Sequence, residues 1–254
     1  MAITIKSERE IELMAEAGKI LERVHNELEK ALRPGMSTKD IDTLGEEIIR
    51  SYGCIPSFLN YNGYPASICV SVNQEVVHGI PDKHRIIQEG DIVSLDAGVI
   101  YKGYHSDAAR THAVGEGSEE AKKLIQVTKE SFFEGIKFAK AGNHLFDISG
   151  AIGRYAEERG YGVVRDLCGH GIGTALHEAP EIPNYEVGRK GVRLRPGMTL
   201  AIEPMINIGT HEVDWLDDDW TVVTRDGSLS AHYENTILIT EGEPRILSLT
   251  CENE

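Results

Sequence analysis

The stretch PGMSTKDIDTLGEEIIRSYG (residues 34–53) returns in altered form 107 residues later, as AGNHLFDISGAIGRYAEERG (residues 141–160). Asp40 of the first copy matches Asp147 of the second, and apolar residues follow both at helical spacing. A unit of helices and strands that occurs twice predicts an α+β fold whose two halves are related by a pseudo-two-fold axis. We expect one domain over residues 1–254, with halves of approximately 1–117 and 118–254.

Regular elements are predicted around both copies of the repeat. A capping box of Ser7 and Glu10 begins a first helix, and the turn at 33–35 ends it. The second helix is expected to start after MSTKD and to reach Gly53. The remaining elements are two helices near Glu119–Ala139 and Leu145–Arg159, and strands within 90–100, 106–115, 197–206, 219–224 and 233–240.

Composition excludes several classes of protein. Of 254 residues, 41% are hydrophobic and 26% are charged, as in ordinary globular proteins, and the net charge of −15 argues against a DNA-binding surface. No apolar run approaches the roughly 20 residues of a membrane span, and MAITIKSERE lacks the apolar core of a signal peptide. We therefore expect a soluble, cytoplasmic protein without DNA or membrane partners. The cysteines show no CxxC pair and are expected to be free thiols: Cys54, Cys69, Cys168 and Cys251.

Acidic residues interrupt the strand-like runs of both halves. Asp96 and Glu203 close the matching segments GDIVSLD and GMTLAIE, and Asp107 and Glu234 close HSD and HYE, 127 residues apart. Any one of them alone would be read as a salt-bridge partner or a turn cap. Four together would repel one another unless cations neutralise them, which predicts two divalent metal ions about 3.5–4 Å apart.

The segment CGHGIGTALHEAP (168–180) places His170 and His177 seven residues apart among glycines. Neither a helix nor a strand brings two such side chains to one ion, and the glycines favour a bent segment with close backbone approach. We therefore expect the two imidazoles to do different work at one site. His170 is the natural nitrogen ligand of the metal centre.

Six motifs, in this order, resemble those of type I methionine aminopeptidases: EVVHGIPD, SLDAG, HSDAART, CGHGIGTALHEAP, GMTLAIEPMI and AHYENTILIT. The resemblance covers roughly residues 3–247. It implies the pita-bread fold, with an antiparallel β-sheet core, outer helices and a dinuclear metal centre. It also implies removal of the initiator methionine from nascent polypeptides with a small second residue, by a metal-bridging hydroxide. Cobalt, manganese, iron, zinc and nickel are all compatible with such ligands.

The resemblance also implies a role for each matching residue. Asp107 and Glu234 would bridge both ions, Asp96 would bind one, and His170 with Glu203 would bind the other. Glu203 would also carry a proton to the leaving amine. His177 would stabilise the oxyanion and His78 would position the substrate backbone, although His78 alone could equally be a core residue.

For the methionine pocket the resemblance points to four residues: Tyr61, Tyr64, Cys69 and Trp220. An apolar aromatic slot suits an unbranched thioether, whereas the alternative for Trp220 is a strand residue that packs on the core. The chain differs from some bacterial members at three positions. It has Phe58 where they carry cysteine, Asn62 where they carry histidine and Leu176 where they carry an aromatic residue. These differences are expected to reshape the pocket rim without affecting the metal ligands.

Two other functions fit parts of the pattern. Aminopeptidase P and prolidase resemble this chain in fold and in metal ligands, but they usually carry a large extra N-terminal domain. Type II methionine aminopeptidases carry a long insertion between the motifs that supply the ligands. The spacings of 33 residues from His170 to Glu203 and 31 from Glu203 to Glu234 leave no room for that insertion. A binding or scaffold protein of this fold would have lost ligands, and this chain keeps all five. By the resemblance we expect a monomer that associates transiently with the ribosome, and whose own Met1-Ala2 start is a substrate.

Overall fold

The computed structural model describes residues 2–249. Met1 and Cys251, for which the sequence predicts processing and a free thiol, lie outside the described residues. The other three cysteines are free thiols, as predicted.

The helices of residues 2–249 form two pairs, α1 with α2 and α3 with α4. Their bounds are α1 Glu8–Ala31, α2 Thr38–Ser51, α3 Glu119–Ile136 and α4 Leu145–Glu157, and a short 3₁₀ turn spans Tyr61–Gly63. The helix α2 starts two residues before the end of MSTKD, which corrects the predicted start, because Ser37 is its N-cap and its hydroxyl accepts the Asp40 N–H at 3.0 Å. The ends of α3 and α4 fall two or three residues short of the predicted ends.

The sequence repeat is visible in atomic detail. Asp40 and Asp147 each accept a hydrogen bond from the backbone N–H of the cap residue three positions earlier, at 2.8 Å in both halves. Each cap residue also forms an isolated antiparallel bridge, Ser37 with Ile86 and His144 with Arg193. Arg193 follows Ile86 by the same 107 positions that separate the two cap residues. The repeated motif thus builds the same helix start twice. The residue bounds of the two halves stay a prediction.

The strands form one large antiparallel sheet and two small ones. The bounds are β1 Ile55–Pro56, β2 Ile68–Val72, β3 Glu75–Val77, β4 Ile92–Tyr101, β5 Tyr104–Ala113, β6 Gly162–Val163, β7 Gly169–Gly171, β8 Glu178–Ile182, β9 Thr199–Ile202, β10 Met205–Asn207, β11 Val213–Trp215, β12 Val222–Thr224, β13 Ser230–His232, β14 Glu234–Leu238 and β15 Arg245–Ile246. The main sheet has the order β1-β4-β5-β14-β9-β7-β8, with β2 on β4 and β15 on β14. The small sheets are β13-β10-β6 and β11-β12-β3.

The two halves meet at the centre of the main sheet, where β5 pairs with β14. The helix pair α1 and α2 covers the first half, and Val24 of α1 packs in one buried cluster with Val93 and Leu95 of β4. The second pair covers the other half, and Phe132 of α3 packs with Leu200 of β9. The helices therefore cover one face of the sheet, and the acidic residues lie on the opposite face.

The α+β class with an antiparallel sheet core and outer helices, predicted from the repeat, is confirmed. Within residues 2–249, no helix combines the length and the apolar character that crossing a bilayer requires.

Candidate active site

The register of the central strands brings three of the four acidic residues together. Ala109 of β5 pairs with Asp96 of β4 on one side and with Glu234 of β14 on the other. Asp107 lies two residues from Ala109, so its side chain points to the same face of the sheet. The alternation predicted for β4 is correct, because Asp96 lines a cavity on this face while Leu95 is buried beneath the helices.

The other two expected ligands come from the second half of the sheet. His170 of β7 pairs with Ala201 of β9, and Ile202 of β9 pairs with Asn235 of β14. Glu203 was predicted within this strand but follows its last residue, because Pro204 has no N–H with which to continue the ladder. Its side chain still lines the cavity.

The imidazole of His170 is oriented like a metal ligand. Its Nδ1 lies 2.9 Å from the carbonyl oxygen of Gly171 and donates to it, since a carbonyl can only accept. Nε2 then carries the lone pair, and it lies 3.6 Å from Oε1 of Glu203 and 3.9 Å from Oδ2 of Asp107. Ligand atoms of Asp107, His170 and Glu234 all lie within 4.8 Å of one another, so these three buried residues could hold a metal ion.

The electrostatics of the carboxylates show that cations fit here. Burial raises the pKa of Asp96 to about 8. Burial, and then the neighbouring acids, raise the pKa values of Asp107, Glu203 and Glu234 well above their ordinary range. Asp96 Oδ1, Asp107 Oδ1 and Glu234 Oε1 are buried without a hydrogen-bond partner in the protein. A divalent cation would neutralise these oxygens and restore the ionised form, and oxygen ligands with one imidazole suit the divalent first-row metals.

The second histidine of the glycine-rich segment lies beside the first. The rings of His170 and His177 have centroids 4.1 Å apart, so the two imidazoles share one site, as predicted. His177 Nδ1 lies 2.7 Å from the hydroxyl of Tyr61. Partial desolvation by the surrounding protein lowers the pKa of His177 below its ordinary value, which favours the neutral ring.

The expected methionine pocket adjoins these groups. Trp220 stands edge-on to Tyr64 with ring centroids 5.1 Å apart, and to His78 with centroids 6.4 Å apart. Trp220 was expected in a strand but lies in the turn before β12, where Asp218 Oδ1 accepts its backbone N–H at 2.9 Å. Cys69 of β2 pairs with Asp96, which connects the pocket wall to the acidic cluster.

One cavity of about 170 Å³ brings all the residues predicted for the site together. The expected ligands and histidines line it: Asp96, Asp107, His170, Glu203, Glu234, His78 and His177. So do the expected pocket residues and the three that differ from some relatives: Tyr61, Tyr64, Cys69, Trp220, Phe58, Asn62 and Leu176.

Sequence reasoning missed one side chain at this site, His232. Its ring is buried, and Nε2 lies 4.0 Å from Glu203 Oε2 and 4.0 Å from Glu234 Oε2. The sequence contained a signal for His232, because strand alternation places it on the same face as Glu234. The match of HSD with HYE also makes it the counterpart of His105 in the other half.

Comparison with known proteins decides the family. The model of metallopeptidase family M24 matches residues 12–241. Methionine aminopeptidase from Clostridium acetobutylicum is 58% identical over 98% of this chain and 100% of its own length. Methionine aminopeptidase 1 from Bacillus subtilis is 52% identical, over 94% of this chain and 96% of its own length. The chain belongs to metallopeptidase family M24, among its methionine aminopeptidases.

Solved M24 structures agree with this assignment. The crystal structure of methionine aminopeptidase from Thermotoga maritima superimposes with a TM-score of 0.96 at 47% identity, covering 98% of this chain and 100% of that one. The Xaa-Pro dipeptidase from Bacillus anthracis gives a TM-score of 0.77 at 28% identity. That match covers 97% of this chain but only 62% of the dipeptidase. The resemblance stated from the motifs and the pita-bread fold are therefore confirmed, and the proline-directed M24 enzymes share the fold at lower identity.

Proposed function

We propose that this protein hydrolyses the first peptide bond of newly made polypeptides and releases their initiator methionine, with a preference for a small second residue. The observation that carries the proposal is the single cavity in which four carboxylates, three of them buried, and His170 adjoin an aromatic slot. The full-length identity with methionine aminopeptidases supports the choice of substrate.

Two divalent ions are the proposed cofactor. Asp107 and Glu234 would contact both ions, Asp96 would complete one site, and His170 with Glu203 would complete the other. Four carboxylates carry −4 and two divalent ions carry +4, which relieves the burial of the acids. When bound, such ions supply a Lewis acid and make water nucleophilic near neutral pH. Manganese, iron, cobalt, zinc and nickel all remain candidates, because availability rather than affinity decides among such metals.

We assign His177 the work of a hydrogen-bond donor to the developing oxyanion. The Tyr61 hydroxyl, 2.7 Å from Nδ1, is assigned as the donor of that hydrogen bond, which leaves the proton of the neutral ring on Nε2. A fixed donor that faces the reacting carbonyl stabilises negative charge where it forms. Tyr61 thus selects the tautomer that His177 needs.

Glu203 and His78 complete the proposed chemistry. Glu203 would take a proton from the attacking water and pass it to the nitrogen of the leaving peptide. His78 adopts a left-handed backbone conformation, with φ of 60°, at the end of β3. This unusual conformation turns its side chain into the cavity, where it would bind the substrate backbone on the leaving side.

The methionine side chain would occupy the slot of Tyr61, Tyr64, Cys69 and Trp220. Burial raises the pKa of the Cys69 thiol well above its ordinary value, so this wall is uncharged. An uncharged, largely aromatic slot favours a thioether over charged side chains. We also propose that the enzyme works as a cytoplasmic monomer on chains that emerge from the ribosome, and that it contacts the ribosome transiently.

The test uses protein stripped with a chelator and then supplied with one metal at a time. Each sample is assayed with Met-Ala-Ser, with a matched peptide in which leucine replaces methionine, and with Xaa-Pro peptides. We expect metal-dependent release of methionine from the first peptide alone. Cleavage before proline, whatever the first residue, would assign the protein to the proline-directed M24 enzymes, and no hydrolysis with any metal would support a scaffold function.

A further inference from the structure

His232 is a buried imidazole beside the acidic cluster that the proposed mechanism does not use. It ends β13, immediately before the strand that carries Glu234. Thr111 of β5 fixes its backbone, because the Thr111 hydroxyl accepts the His232 N–H at 2.9 Å and donates to the His232 carbonyl at 2.9 Å. These two hydrogen bonds fix the backbone from which the ring extends.

The ring of His232 lacks the hydrogen bonds that a buried histidine with a purely structural role would form. His232 is 2% exposed, and neither Nδ1 nor Nε2 has a hydrogen-bond partner in the protein. Burial of an unpaired polar group destabilises the folded protein, so such a residue needs another reason to be where it is. Nε2 lies 4.0 Å from one carboxylate oxygen of Glu203 and 4.0 Å from one of Glu234.

Comparison with His170 indicates what kind of role this is. A histidine that binds a metal almost always donates its other ring N–H to a carbonyl or carboxylate, which fixes the tautomer. His170 does so through Nδ1 and Gly171, whereas Nδ1 of His232 has no such acceptor. His232 therefore lacks the orienting bond of a ligand, but it faces two carboxylates that come from different strands.

We propose that His232 is a positioning residue that orients the carboxylates of Glu203 and Glu234 for metal binding. Its Nε2–H, 4.0 Å from an oxygen of each in this structure, would donate a hydrogen bond to one of them when the two carboxylates hold metal. The inference rests on the proposed metal centre. Because Glu234 is expected to contact both ions and Glu203 one of them, loss of the donor should weaken binding of the metal itself. Residues that orient ligands in this way typically contribute about 10- to 100-fold in metal affinity.

The experiment compares His232→Leu, which removes the donor, with His232→Gln, which keeps an N–H donor near the position of Nε2. The control is His112→Leu, since His112 lies on the opposite face of β5 near Glu29 of α1. Manganese and cobalt affinities are measured by calorimetry on chelator-treated protein, together with melting temperatures in chelator. We expect His232→Leu to bind metal about 10- to 100-fold more weakly, His232→Gln to recover most of that loss, and His112→Leu to match the wild type.

Visible absorption of the cobalt-loaded protein separates positioning from coordination. We expect His232→Gln to retain the wild-type spectrum, because no ligand is lost. A spectral change as large as that of His170→Gln would make His232 a ligand and overturn the proposal. Wild-type affinity in His232→Leu would overturn it as well, whereas absence of metal binding by the wild-type protein would refute the metal centre instead. If His232→Leu lowers the melting temperature in chelator, its weaker metal binding could come from partial unfolding, and the metal affinity of the folded His232→Gln variant then decides. A loss of metal affinity in His232→Gln equal to that in His232→Leu would contradict the proposal.

Discussion

Tyr61→Phe removes a single hydroxyl from the cavity and keeps the aromatic ring. That hydroxyl lies 2.7 Å from His177 Nδ1, and the rings of the two residues have centroids 5.2 Å apart. The change therefore deletes one hydrogen bond to His177 and preserves the apolar wall of the methionine pocket. If Tyr61 acts through His177, the loss should fall on kcat rather than on KM.

The expected magnitude follows from the bond that is lost. One neutral hydrogen bond contributes about 0.5–1.5 kcal/mol, and 1.36 kcal/mol corresponds to a factor of ten in rate. Tyr61→Phe should therefore lower kcat about 2- to 13-fold. His177→Ala removes the oxyanion donor altogether and should cost about 100- to 1000-fold.

The assay is a double-mutant cycle on release of methionine from Met-Ala-Ser. In the His177→Ala background, Tyr61→Phe should change kcat by less than about twofold, because the residue through which it acts is absent. Tyr104→Phe is the control, since it also removes one tyrosine hydroxyl, whose hydrogen bond of 3.0 Å goes to Glu10 and not to His177. Equal losses of kcat from Tyr61→Phe in both backgrounds would refute the reasoning.

Three further predictions concern stability. Gly18→Ala would place a Cβ 1.9 Å from the carbonyl oxygen of Leu247, so we expect it to lower the free energy of unfolding by about 1–3 kcal/mol in urea titrations, while Gly242→Ala, which meets nothing within 4 Å, should be neutral. Burial lowers the pKa of His25 well below 6.5, so below that pH the unfolded chain gains a proton that the folded protein does not. Unfolding free energy should thus fall as the pH drops below 6.5, and His25→Gln should flatten the slope by up to about 1.4 kcal/mol per pH unit; an unchanged slope would contradict this. Manganese at about 100 times its dissociation constant should stabilise the chelator-treated protein by about 2.7 kcal/mol, seen as a higher melting temperature, and Asp107→Asn should abolish that shift; a shift that survives would place the metal elsewhere.

Periodicity and internal repetition predicted most of the fold. Asp40 and Asp147 are local signals, because each accepts the backbone N–H of the residue that caps its own helix, and the structure repeats that hydrogen bond in both halves. The face of Asp96 could likewise be predicted, since strand alternation is local. The exact helix bounds were less certain, because Ser37 and Asp40 are both good cap residues and only the structure shows which one is used.

Contacts between distant segments could not be derived from spacing. Tyr61 and His177 are 116 residues apart, and nothing in either segment predicts their hydrogen bond. Glu203 was expected within a strand, yet β9 ends at Ile202, and Glu203 lies with Pro204 in the link between β9 and β10. His232 was assigned no role because its significance depends on Glu203, which the folded sheet brings beside it.

The most direct test of the metal centre is anomalous diffraction from crystals of the protein soaked with manganese or cobalt. We predict two peaks about 3.5–4 Å apart, among Asp96, Asp107, His170, Glu203 and Glu234, in a crystal whose dissolved protein releases methionine from Met-Ala-Ser. A protein that releases methionine while no peak lies among these side chains would contradict the account.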